Sequence, residues 1–134
     1  MSKTRNTTRA PYALLVRTDG TFQILDWPST EDTGLRLKAL YVTIDCDRVD
    51  AVDAPGLTMW VDDEGLIKDN PAQNILATAL LAKHRKVHQM YFGHAVFTGG
   101  TDRHGNSLGL TEDAVLRLVQ LLLEWAPIPA QRTH

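Results

Sequence analysis

The chain has 134 residues, 43% of them apolar and 22% charged, with a formal net charge of −2 at pH 7. That is the length of one domain, with enough apolar material for a core without staples. A single cysteine, Cys46, excludes an internal disulfide framework and any multi-cysteine zinc site, and makes a reducing cytoplasm the default.

No apolar run reaches the ~18 residues of a membrane span, and the opening MSKTRNTTRA lacks the apolar core of a secretory signal, so no membrane role is expected. Charge is distributed unevenly. Residues 1–10 carry Lys3, Arg5 and Arg9 against no acid, so the remainder holds all 16 acidic side chains. Between Asp45 and Glu64, seven acids face a single base, Arg48. Such a body repels phosphates, which argues against nucleic acid as a partner. Polar composition without periodicity predicts a disordered basic tail over 1–10 and a flexible tail over 127–134, around one domain spanning 11–126.

In chain order, Tyr12–Arg17 reads as a strand entered through Pro11, Asp19-Gly20 as a type I′ hairpin signal, and Thr21–Leu25 as the returning strand. Ser29 or Thr30, followed by Glu31 and Asp32, reads as a helix start with acids in its first turn; Leu35, Ala39 and Leu40 would line its buried face. Tyr41–Asp47 reads as the next strand, with Asp45 and Asp47 on one face and Ile44 and Cys46 on the other. Leu57–Val61 and Leu66-Ile67 suggest a hairpin about the turn Asp62–Gly65. Asn70 before Pro71 marks a helix start, with Ile75, Leu76, Ala79 and Leu80 following at helical spacing. Tyr91–Thr98 reads as a strand, and Gly99–Asn106 must be a loop. Thr111-Glu112-Asp113 caps a helix whose Val115, Leu118, Val119 and Leu122 form one stripe, stopped by Pro127. The order β-β-α-β-β-α-β-α predicts an α+β domain: an antiparallel or mixed sheet of about five strands, with two or three helices on one face.

Chemistry-bearing groups are sparse. The stretch DCDRVDAVDA lacks the spacing of a calcium loop and reads as a solvated or partner-facing acidic patch. His84 and His88 are spaced i, i+4, but stand among Lys83, Arg85 and Lys86, which oppose a divalent cation. His94 lies in an apolar run as a half-buried, hydrogen-bonded histidine. Cys46 sits between two aspartates that would raise a thiol pKa, so it is not a nucleophile. The most ligand-like segment is Gly99–Asn106: its glycines permit close backbone approach, while Asp102, His104 and Asn106 offer polar groups. It matches no phosphate-loop motif, and a strand-to-helix connection accounts for the same glycines.

The runs Leu57–Leu66 (LTMWVDDEGL), Asn74–Thr78 (NILAT) and Gly93–Gly100 (GHAVFTGG), with Asp102, Gly105-Asn106 and Leu110-Thr111, resemble the family catalogued as domain of unknown function 3846. The likeness extends from about Tyr12 to Leu123. Where members carry a paired glycine after the first helix, Ala39-Leu40-Tyr41 stands here. The resemblance implies an accessory protein of a phage, plasmid or other bacterial mobile element, and supplies no catalytic residue. Asn74 and Thr78 match the family motif; Asn74 reads first as a structural residue bonding a neighbouring loop.

Together these readings predict a non-catalytic protein without cofactor or metal. Its expected partner is a host protein or a second copy of itself, met through Asp45, Asp47, Asp50 and Trp60. The alternative is a protein that binds or sequesters a nucleotide or other small anion through Gly99, Gly100, Asp102, His104, Asn106 and Asn74.

Overall fold

The computed structural model describes residues 10–27, 33–46, 48–63, 72–103 and 107–125. Strand β1 (Tyr12–Val16) returns as β2 (Phe22–Asp26), and helix α1 (Thr33–Ile44) follows. Then come β3 (Val49–Ala54), β4 (Leu57–Asp62), α2 (Ile75–Ala82), β5 (Ala95–Thr98) and α3 (Glu112–Trp125). The strands form one sheet in the order β2-β1-β5-β4-β3, with every neighbouring pair antiparallel. The α+β class and the order of elements agree with the sequence reading.

Alternation along each strand divides the sheet into two faces. Leu14, Val16, Met59, Ala95 and Phe97 point to one side, where Leu80 and Leu81 of α2 and Val115, Leu118 and Leu122 of α3 cover them. Ala13, Leu15 and Val96 point to the other, against Leu40 and Ile44 of α1 and the ring of Trp27. Two helices therefore share one face as expected, and α1 lies on the opposite face. The stripe read for α3 is its buried side, and Thr111 caps that helix by accepting from the Ala114 N–H at 3.1 Å.

Local differences from the sequence reading have physical causes. The Asp19-Gly20 turn is not type I′. Gly20 N–H donates to Arg17 C=O at 3.1 Å with Gly20 alone in the left-handed region, the pattern of a three-residue hairpin loop. Tyr41–Ile44 is not a strand but the last turn of α1. Cys46 N–H closes that helix on Tyr41 C=O at 3.0 Å, with Asp45 left-handed at φ 64, as in a Schellman cap. The strand begins instead at Val49, and β4 hairpins with β3 about Pro55-Gly56. Over Thr58–Trp60 both edges of β4 are occupied, by β3 and β5. Helix α2 starts at Ile75 rather than after Asn70, because Gln73 pairs with Phe92 in a β-bridge. Both predicted tails (Ala10 excepted), the start at Ser29–Asp32, Leu66-Ile67 and Asn70-Pro71 lie outside the described residues.

Candidate functional site

Beyond β5 the chain folds back on itself. Gly99 N–H donates to Leu108 C=O and Leu108 N–H to Gly100 C=O, each at 2.8 Å, and Thr101 bridges Ser107. The returning segment then pairs with the start of β1 through reciprocal bonds between Tyr12 and Leu110. This backbone crossing explains the glycines. A Cβ on Gly99 would overlap the Gly109 carbonyl oxygen, and one on Gly109 would overlap that of Ala10. Gly100, at φ +91, passes over the β3–β4 turn, where a Cβ would lie 3.2 Å from Leu57 N. Asp102 is half-buried and has an interaction of its own. His104 and Asn106 lie outside the described residues.

A clamp that the sequence did not reveal holds this return. Ser107 C=O accepts from Arg36 Nη1 at 2.9 Å and from Trp27 Nε1 at 3.5 Å, with the guanidinium 5.7 Å from the indole centroid. Trp27 and Ser107 are 80 residues apart, so no local pattern could have joined them.

Asn74 is placed elsewhere. It sits by the start of β5, so the strand's four residues, about 14 Å of extended chain, separate it from Gly99. It is 1% exposed. Its Oδ1 caps α2 by accepting from Ala77 N–H at 3.0 Å, and Nδ2 donates to Val16 and Gly93 carbonyls, each at 2.9 Å. Both amide donors and the carbonyl are engaged, which corrects its place among the ligand-binding candidates: it ties β1, the β5 approach and α2 together. The structural reading of this residue is the one the geometry matches. Thr78, one turn on, returns its hydroxyl to Asn74 C=O at 2.9 Å.

His94 and His84 are likewise engaged. His94 Nδ1 accepts from Thr18 N–H at 3.3 Å. His84 Nδ1–H donates to Leu80 C=O at 2.9 Å, and α2 ends at Ala82, so His84 and His88 do not share a helix face. Among the described residues no three His, Cys, Asp or Glu side chains gather as metal ligands.

The partner candidates separate as well. Trp60 is half-buried on the α1 face, opposite Ala51, with its indole N–H donating to Thr98 Oγ1 at 2.9 Å, so it is not the exposed aromatic expected. Asp50 is exposed on β3 opposite Val61, hence on the other face. Asp45 is exposed at the α1 cap, and Asp47 lies outside the described residues. What remains is an edge that carries Asp50 and Asp53, with Arg85 Nη1 donating to Asp53 C=O at 3.0 Å. Among the described residues, strand β3 has one sheet neighbour, β4, and it turns Asp50 and Asp53 to opposite faces. Asp53 accepts from the Thr58 hydroxyl at 2.9 Å, and Arg48 pairs with Asp63 at 2.8 Å.

The model of one protein family, described as Domain of unknown function (DUF3846), matches residues 10–123. The chain belongs to this family. No curated protein and no solved structure matches it. In this DUF3846 member the matched stretch runs from the entry to β1 almost to the end of α3, so both the glycine crossing and the β3 edge fall within it. Among its described residues, no helix is long and apolar enough to cross a membrane.

Proposed function

We propose that this chain is a non-catalytic accessory protein of a phage, plasmid or bacterial mobile element, acting in the cytoplasm by binding a host protein along the β3 edge. The observation that carries this reading is the edge itself. An outer strand offers backbone donors and acceptors to an incoming segment. Here Asp50 and Asp53 flank that edge on both faces, and Asp45 stands just before it. A partner presenting a basic segment meets complementary charge, which governs encounter rate and partner choice more than affinity. The small-anion reading is the weaker one, because Gly99 and Gly100 serve backbone crossings and Asn74 is fully hydrogen-bonded.

The test is capture from a bacterial host lysate at low and high salt, using wild type and an Asp45→Asn/Asp50→Lys variant. Asparagine tolerates the left-handed backbone at position 45. A protein held by wild type, released by salt and lost in the variant supports the edge. Absence of any captured protein, combined with a melting temperature raised by nucleotides, would reverse the ranking in favour of the anion.

A further inference from the structure

Helix α3 carries a second, outward stripe. While Val115, Leu118 and Leu122 are buried, Leu116 and Leu123 are 48% and 62% exposed. Seven residues apart, they lie on one line along the helix, with exposed Gln120 between them. Beside that line, again seven apart and exposed, stand Arg117 and Glu124. Two opposite charges in this arrangement are self-complementary under one operation. When two such helices pack antiparallel about a two-fold axis near Gln120, Leu116 of each copy meets Leu123 of the other. Arg117 of each then faces Glu124 of the other, and symmetry forms both ion pairs at once.

We propose that the outer face of α3 is a self-association surface, and that its partner is a second copy of this chain packed antiparallel against it. The proposal does not depend on the β3 edge, which belongs to the far margin of the sheet from β1, the strand that α3 contacts. A contact built on one 14-residue helix, about 21 Å long, is small. It belongs with weak, reversible interfaces, with a dissociation constant on the order of micromolar to millimolar.

Sedimentation equilibrium of the full chain across that range is the test. Wild type is expected to show a concentration-dependent dimer. Leu123→Lys should abolish it. Arg117→Glu and Glu124→Arg should each weaken it by roughly tenfold, since each places two like-charged pairs in the contact. The decisive arms are the charge swaps. The Arg117→Glu/Glu124→Arg double variant should regain dimerisation, and an equimolar mixture of the two single variants should associate more strongly than either alone. These positions are exposed, so unchanged far-UV circular dichroism and melting temperature are expected of the charge variants. A chain monomeric throughout the range overturns the proposal. So does a dimer indifferent to Arg117 and Glu124, or a double variant no better than the singles.

Discussion

On the α2/α3 face, Leu14, Met59, Leu80, Phe97 and Leu122 are fully buried in one broad apolar cluster, whereas among the described residues the α1 face buries fewer side chains. The α1 face adds directed polar bonds, Trp60 to Thr98 and Arg36 to Ser107. Apolar burial is roughly proportional to area and indifferent to direction, so the first face sets global stability. The second depends on a few bonds of fixed geometry and is the side expected to open first.

The sharpest way to break that comparison uses the same truncation on both faces. Leu122→Ala and Leu40→Ala each fall within the ~2–5 kcal/mol expected for buried leucines. We expect Leu122→Ala near the upper limit and Leu40→Ala near the lower, measured by urea unfolding. Equal losses would mean the two faces are energetically alike. Next in size is Asn74→Ala, which removes the α2 cap and strands two carbonyls of β1 and the β5 approach. We expect a loss of about 2–3 kcal/mol. Asn74→Asp keeps the capping oxygen but sets a carboxylate against those carbonyls, so it should rescue little. A stable Asn74→Ala variant would return this residue to the binding candidates.

Legibility in the sequence followed how local each cause is. The β1–β2 pair, β4, β5 and the Thr111-capped α3 were readable because their signals lie within a few residues. The run Tyr41–Ile44 looked like a strand because Val42, Thr43 and Ile44 are β-branched. The useful signal was Leu40 and Ile44 at i, i+4, both buried, with Val42 78% exposed on the outside. Strand β3 was hidden for the opposite reason: VDAVDA repeats every three residues, so the two-residue alternation of a strand does not show. For the candidate site, Asn74 reads first as a structural group, but its capping of α2 is hidden because Asn70-Pro71 offers an earlier helix start. The clamp on Ser107, the approach of Gly109 to Ala10 and that of Gly100 to Leu57 were not readable, since each joins segments far apart in the chain. The place of Trp60 is not legible either, because its partner Thr98 becomes adjacent only when β4 pairs with β5.

On the α1 face, Trp60→Phe tests the polar contribution directly. It preserves most of the ring volume and removes the indole N–H, leaving buried Thr98 without that donor. The expected cost is about 1–2 kcal/mol. Native-state hydrogen exchange should show faster exchange around α1 with that around α2 and α3 unchanged. Equal acceleration on both sides would sink the idea that the faces open separately.

The smallest effect belongs to neither face but to the β1–β2 turn. Asp19 Oδ1 accepts from the Thr21 hydroxyl at 2.7 Å and from the Thr21 N–H at 2.9 Å. These two bonds, the hydroxyl first, hold its carboxyl below the ordinary aspartate value of 3.8, with Arg17 and His94 adding to the effect. A carboxyl whose folded pKa is lowered stabilises the fold at pH values above the unfolded pKa. That contribution is lost as pH falls through the folded value. Wild type should therefore lose melting temperature below pH 3.8 slightly more steeply than Asp19→Asn. The group is fully exposed, so the difference should be small and should shrink with salt. An NMR titration of the Asp19 carboxyl isolates the cause. Thr21→Val removes the hydroxyl and keeps the backbone N–H, so the midpoint should rise towards the ordinary value without reaching it. An unmoved midpoint would shift the cause from the hydroxyl to the backbone bond and the neighbouring charges.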